Sequence, residues 1–246
     1  MSLGDTQAPV PAQILALRFF RAAVADDELP GTTAMLQRIC RATAVGLTMH
    51  GCAVHLAGSD GETGLAASSD AASATIADLA FTAGEAPSTD AFVRRRPVLV
   101  DDLAAESSRW PGYCQLAIEL GVRSAFSLPL QVGGMALGVL DMYDDRPRRL
   151  TDADFMLAVA LTQLATQELL NGAQPGGEGW DEPLLDHRTE IYQAQGMVMV
   201  DLKVDLAEAL IRMRAQAFSE GVPLIEVARA VLRGATLPAA HWDGRS

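Results

Sequence analysis

The chain has 246 residues, a net charge of −12, and a hydrophobic share of 49 %. That length exceeds the usual single domain, so two domains are expected, and that share of apolar residues supports packed cores and excludes overall disorder. No apolar run reaches the length of a membrane span, no basic region precedes an apolar core at the N-terminus, and Cys40, Cys52 and Cys114 fit neither a disulfide framework nor a zinc site, so buried thiols in a reducing cytoplasm are expected.

Residues 1–13 read as a loose leader. Ile14, Leu17, Arg18 and Arg21 then recur as on a helix with one wet side, over Ile14 to Val24. Thr33 to Val45 repeats the pattern with Met35, Leu36, Ile39 and Ala42. His50 to Ala57 reads as a strand, Gly58-Ser59-Asp60-Gly61 as a turn, and Gly64 to Ser68 as the partner strand of a hairpin. Asp70 to Ala80 is alanine-rich and reads as a helix. Gly84 and Pro87 precede another helix, and Pro97 to Leu103 reads as a strand and turn. Ser127 to Val132 and Met135 to Tyr143 form a second hairpin across Gly133-Gly134. Thr151 with Asp154 opens a long helix to about Leu170. Its stripe of Leu157, Leu161, Leu164, Ala165 and Leu169, with Phe19 and Phe20, is expected to form a helical dimer interface.

Little in this region points to catalysis. Alternation puts His50 and His55 on opposite strand faces, which makes them poor joint metal ligands. Arg94-Arg95-Arg96 reads as a solvated turn, and Asp101-Asp102 as the end of a strand. No phosphate loop, nucleophile elbow or zincin helix is present, so no enzyme and no cofactor are expected.

Gly84-x-x-Pro87, Pro97 to Leu103, Trp110-Pro111, Ser127-Leu128-Pro129-Leu130 and Gly138-Val139-Leu140 resemble a GAF domain, a sensor fold related to PAS domains. The resemblance spans roughly Arg18 to Asn171, and residues 14–171 are assigned to it. It implies an α+β fold with an antiparallel sheet and flanking helices, sensing a small molecule or a protein. Candidate lining residues of a ligand pocket are His55, Phe81, Phe92, Trp110, Tyr113, Cys114 and Phe126, a buried structural thiol being the alternative for Cys114.

Residues 172–183, rich in glycine and proline, read as a flexible linker. Residues 184–234 read as a bundle of three short helices, and 235–246 as a tail. The first helix ends near Val200. Asp205 with Glu208 gives a capping-box spacing for the second, Gly221 suits its stop, and Pro223 suits the first turn of the third. The apolar stripes are Leu206, Ala209, Leu210, Met213 and Ala217, then Leu224, Val227, Ala228 and Val231. Gly196 inside a helix costs about 1 kcal/mol relative to alanine. Close packing or a bare patch for a partner would offset that.

Ile191-x-x-Ala194-x-Gly196-Met197-x-Met199, Glu208-Ala209-Leu210, Met213-Arg214-x-x-Ala217 and Leu224-x-x-Val227-Ala228 resemble the ANTAR module, an RNA-binding output domain of bacterial antiterminators. The resemblance implies a homodimer that binds stem-loops in nascent RNA and blocks a terminator. Candidate phosphate contacts are Arg188, Arg212, Arg214, Arg229 and Arg233, and candidate base contacts Gln193, Gln195 and Gly196. Arg212 has an alternative partner in Glu208, one turn away, and Arg214 has no acid in reach along its helix. From Glu182 onward there are nine acids and seven bases, a balance of −2, which leaves −10 for the rest of the chain. The family often has a lysine where this chain has Gln195. A phosphoreceiver reading fails because the only lysine, Lys203, lies in the bundle. A DNA-binding helical module and a protein-interaction module remain the rival readings.

Overall fold

A computed structural model of the chain describes residues 10–24, 31–58, 63–172, 189–222 and 224–238. The 58–61 turn, the leader, the linker, Pro223 and the tail fall wholly or partly outside these residues.

The described strands are β1 (Gly51–Ala57), β2 (Thr63–Ser68), β3 (Val98–Val100), β4 (Ser124–Val132) and β5 (Met135–Asp144). They form one sheet in the order β2-β1-β5-β4-β3, antiparallel throughout. This is the expected α+β architecture. The two hairpins join through β5 and β1, with His55 opposite Val139 and Ala53 opposite Asp141. Gly138 makes that junction possible: a Cβ there would lie 2.0 Å from the His55 carbonyl oxygen. Any side chain would push the two hairpins apart.

Both sheet faces are covered. Helices α1 (Ala12–Ala22) and α2 (Gly31–Leu47) share one face with α6 (Asp152–Gly172). The short helices α3 (Ala71–Ala83), α4 (Pro87–Arg94) and α5 (Pro111–Glu119) share the other. Strand alternation sorts the side chains. On β5, Leu140 and Met142 face the α1/α2/α6 layer, while Val139, Asp141 and Tyr143 face the α3/α4/α5 layer.

The ends of the helices are set locally. Asp70 accepts from the Ser73 amide at 2.8 Å and opens α3. Thr151 and Asp154 each accept the other's backbone N–H, at 3.1 and 3.3 Å, and open α6. Arg148 closes α2 from a distance, donating to the Leu47 and Thr48 carbonyls at 2.9 and 3.0 Å while pairing with Asp144 at 3.1 Å. A cation on the last carbonyls of a helix offsets their partial negative charge.

The α6 stripe does not form a free surface. Leu157, Leu161, Ala165 and Leu169 are buried within this chain against α1 and α2, and Phe19 and Phe20 pack on the same core. The expectation that this stripe serves a dimer is corrected on that point: the helices that flank the sheet consume it.

The C-terminal helices are α7 (Thr189–Leu202), α8 (Leu206–Glu220) and α9 (Leu224–Leu232). Ile191, Ala194, Val198, Leu210, Met213, Val227 and Val231 are among the residues of their shared core. Asp205 accepts from the Glu208 amide at 2.8 Å, and Gly221, at φ +65°, ends α8 in the left-handed conformation. Phe81, at the end of α3, joins this core and not the sensor's. No described helix is long and apolar enough to cross a membrane.

Candidate nucleic-acid interface and sensor site

The bundle's candidate contacts fall into three groups. Gln193 is exposed, and Gly196 is half-buried with nothing within 4 Å of where a Cβ would stand. Close packing among the described residues therefore does not explain this glycine. With Met197 and Val200, which are 39 % and 67 % exposed, Gln193 and Gly196 make an outward face of α7 with a bare backbone step in it.

The second group is engaged within the bundle. The Gln195 side chain is buried, and its amide donates to the Leu206 carbonyl at 2.7 Å, tying α7 to the first turn of α8. In this conformation it is not presented to a base, which corrects its placement among the outward contacts. Arg212 pairs with Glu208 at 2.8 Å. Arg229 pairs with Glu190 at 2.9 Å and with Glu226 at 3.0 Å, holding the start of α7 against α9. Exposed ion pairs of this kind contribute roughly 0–1 kcal/mol each, so an RNA phosphate can compete for these arginines. Arg233 is exposed, with no side-chain hydrogen bond or ion pair among the described residues. Lys203, exposed at the left-handed end of α7 (φ 55°), has the same freedom and was not among the sequence candidates. Its signal was available: it is the chain's only lysine. Arg188 lies outside the described residues.

Arg214 stands apart. It has no acid one turn away on its helix, but it is not unpartnered. Its Nε donates to the Phe81 carbonyl at 2.9 Å, across 133 positions of sequence, and its guanidinium carbon lies 5.1 Å from the Phe81 ring centroid. Phe81 is in the last turn of α3, where carbonyls lack intrahelical partners. Gly84 closes that helix at φ +73°, where a side chain would be strained, and a Cβ there would lie a tight 3.1 Å from Arg214 Nη1. The sensor's α3 is thus capped by an arginine of the output bundle, with hydrogen bond, ring stacking and helix-end charge acting together.

The sensor candidates divide as well. His55, Trp110, Tyr113 and Cys114 are buried on the face under α3, α4 and α5, and Phe92 packs half-buried on the same cluster. Phe126 lies on the opposite face, among the leucines of the α1/α2/α6 layer, and Phe81 sits in the bundle's core. Neither can line a site with the other five. His55 Nδ1 is 2.9 Å from Asp141 Oδ2, and its Nε2 is 3.3 Å from the Ala77 carbonyl oxygen on α3. Both partners are 2 % exposed. Asp141 is the residue that sequence reasoning missed. Its signal was a carboxylate in the apolar run Gly138-Val139-Leu140-Asp141-Met142.

The surroundings are poor in nucleophiles. Burial pushes the Tyr113 and Tyr143 hydroxyls well above their ordinary range, and the nearby Asp141 adds to it. Burial likewise raises the Cys114 thiol, with Glu85 and Glu106 contributing. A protonated buried thiol is a packing group. Among the described residues no cluster of histidine, cysteine and carboxylate side chains could hold a metal ion.

The comparisons agree with this division. A family model for the GAF domain matches residues 31–169, and one for the ANTAR domain matches residues 184–232. Among solved structures, the chain resembles the GAF domain of an Acinetobacter phosphoenolpyruvate-protein phosphotransferase at 14 % identity and a TM-score of 0.50, over 68 % of this chain and 96 % of that one. It also resembles the GAF domain of a phosphoenolpyruvate-protein phosphotransferase from Coxiella burnetii at 16 % identity and a TM-score of 0.49, over 66 % of this chain and 94 % of that one. At such identities the likeness concerns the fold alone. No curated protein matches the chain by sequence. A sensor sheet over residues 31–169 followed by a three-helix output module makes this chain a member of the GAF–ANTAR regulators.

Proposed function

We propose that the protein is a cytoplasmic, signal-responsive regulator that binds RNA stem-loops through α7–α9 and acts by antitermination as a homodimer. The sensor controls that output through α3. Two features support the reading. The outward face of α7 offers Gln193, Met197 and the bare step at Gly196 to splayed loop bases, the way proteins read RNA loops. Among the described residues Lys203 and Arg233 are free for phosphate, and Arg229 and Arg212 can be drawn from their ion pairs.

The observation that carries the control is Arg214 on the Phe81 carbonyl. An arginine in the RNA module is held by the sensor's helix, so the sensor's state decides whether that cation is available. Gel retardation of the full chain with a two-loop RNA tests the output directly. The RNA is expected to shift and duplex DNA of equal length is not. Equal retardation of both would favour a DNA-binding module. Retardation of neither would favour a protein-interaction role, to which the net charge of −12 and the paired arginines also point.

A further inference from the structure

Free cations are scarce in the bundle. Among its described residues Arg212, Arg214 and Arg229 are engaged, which leaves Lys203 and Arg233. The sensor has an unengaged group of its own where α4 ends. Arg94, Arg95 and Arg96 are exposed, and so are Val93 and Pro97 on either side. Arg94 shares Asp90 with Arg109, at 3.3 and 2.7 Å. Arg95 and Arg96 have no side-chain hydrogen bond or ion pair among the described residues. No acid occurs from Ala91 to Val100, nor from Pro129 to Gly138 on the neighbouring hairpin. In a chain of net charge −12, this is a local reversal of sign. Arg95 also ends α4 in the left-handed conformation, at φ 54°. Glycine adopts that region without steric cost and arginine does not, so the side chain is kept there against stability. Strain of that kind concentrates at sites of function.

Strand register fixes where these arginines stand. Helix α3 runs alongside β1 in the same direction: a Cβ on Gly51 would lie 2.0 Å from Ser73 Oγ, and His55 Nε2 lies 3.3 Å from the Ala77 carbonyl oxygen. The end of α3, where the Phe81 carbonyl holds Arg214, therefore lies at the Ala57 end of β1. Leu56 stands opposite Gly138, so this is also the end where the Gly133-Gly134 turn joins β4 to β5. Arg95 reaches the same turn, its Nη1 lying 3.9 Å from where a Cβ of Gly134 would stand. Two strand spacings, about 10 Å, separate β1 from β4. The bundle's attachment and the arginine run thus share one end of the sensor sheet.

We infer that Arg95 and Arg96, with Arg94 beside them, are a second phosphate contact for the RNA that α7–α9 binds. This rests on reading α7–α9 as an RNA-binding module. An RNA loop on α7 continues into flanks whose backbone carries a charge at every nucleotide. Lys203 and Arg233 neutralise little of it, and the sensor's acidic excess repels it elsewhere. Guanidinium groups take phosphate through paired hydrogen bonds and also stack on unpaired bases. Val93, Val132 and Met135, 71 %, 44 % and 66 % exposed, add apolar surface around them. An acidic peptide would meet the same charges, but it is RNA that the bundle itself brings to this end of the sheet. One RNA touching both domains would hold them in a single relative placement.

The test is gel retardation of a two-loop RNA by the full chain at several salt concentrations. The parent is compared with the double variant Arg95→Gln, Arg96→Gln, which leaves Arg94 on Asp90. The double variant is expected to bind at least tenfold more weakly at low salt. Its slope of log affinity against log salt should be flatter by roughly 1.4, two phosphates at about 0.7 each. Arg95→Gly separates contact from packing: glycine suits the left-handed position, so Tm should hold or rise while RNA affinity falls. The proposal is overturned if the double variant keeps the parent's affinity and salt slope. It is equally overturned if affinity falls with the slope unchanged, which marks lost structure and not a lost phosphate contact. Unchanged RNA retardation with weaker binding to phosphatidylglycerol vesicles would assign the arginines to a membrane surface, and with weaker binding to polyglutamate, to an acidic protein; both overturn it. A parent chain that retards no RNA would overturn the output reading itself, and is told apart because the parent alone shows it.

Discussion

The two faces of the sensor sheet are made from the same strands and differ in kind. Toward α1, α2 and α6 the buried residues include Leu36, Leu128, Leu130, Leu140, Leu161 and Phe126, and the buried carboxylate on that side, Asp144 at the end of β5, is paired with Arg148. Toward α3, α4 and α5, Leu103 is the one leucine of the buried cluster, and alanines, two tyrosines and Trp110 surround the His55–Asp141 pair. Neighbouring positions on β5 have opposite fates: Leu140 and Met142 go to the first face, Asp141 and Tyr143 to the second. A period of two lets one strand serve a packing face and a chemical face at once. The first face holds the domain together. The second buries the hydrogen-bonded His55–Asp141 pair, at a cost in desolvation.

The largest effect should come from the dry face. Phe126→Ala removes a fully buried ring there and is expected to cost about 3–5 kcal/mol in urea unfolding. A loss under about 1 kcal/mol would mean that the two faces do not differ as described. On the polar face, Asp141→Ala is expected to cost about 3 kcal/mol, because it strands a buried imidazole. The double change His55→Leu with Asp141→Leu should recover most of that loss, since an apolar pair needs no desolvation. Failure to recover would show that the pair stabilises the fold by more than its desolvation costs.

Smaller effects probe α3, which connects the polar face to the bundle. Arg214→Ala is expected to leave the sensor folded and weaken RNA binding at least tenfold, about 1.4 kcal/mol. It should also flatten the slope of log affinity against log salt by roughly 0.7. Unchanged affinity at every salt concentration would make Arg214 a clamp on the sensor and nothing more. At the other end of α3, Asp70→Asn should cost about 1 kcal/mol or less at neutral pH through the weakened cap. Burial pushes the Asp70 carboxyl up, but the Ser73 amide and the Ser69 and Ser73 hydroxyls outweigh it and hold the carboxyl below its usual 3.8. A depressed carboxyl stabilises the fold above its unfolded pKa and loses that contribution as pH falls through the folded value. The gap in Tm between parent and variant should therefore be flat at neutral pH and close below about pH 4. Finally, Gly196→Ala should stabilise the bundle by up to about 1 kcal/mol, since the new methyl meets nothing. Lower RNA affinity in the same variant would identify the bare step as a contact.

Much of this architecture is legible in the sequence because its signals are local. The Gly133-Gly134 hairpin, the Thr151–Asp154 and Asp205–Glu208 caps, the stop at Gly221 and the stripes of α8 and α9 each lie within a few residues of what they determine. The candidate sites were less legible, for reasons of distance and parity. Phe126 shares its strand parity with Leu128 and Leu130, so alternation places it on the dry face; proximity in sequence to Ser127 hides that. Arg214 has no acid one turn away on its helix, and the Phe81 carbonyl that it meets stands 133 positions away. Gln195 has the composition of a surface contact, but its amide is used by a carbonyl that only the packing of α7 on α8 brings near. Asp141 is evident as an oddity in an apolar strand, yet its neighbour His55 comes from the first hairpin.

The grip of Arg214 on the Phe81 carbonyl has a thermodynamic corollary. A phosphate that takes the guanidinium leaves the end of α3 uncapped, and a change in α3 alters how readily the guanidinium leaves. Two equilibria that share one group cannot be independent. Whatever factor a sensor ligand applies to RNA affinity, the RNA must apply to the affinity for that ligand, commonly 5–150-fold for couplings of about 1–3 kcal/mol. Under the proposed function the transcript is an effector of the sensor, and a saturating RNA concentration should change how much signal the protein needs before it responds.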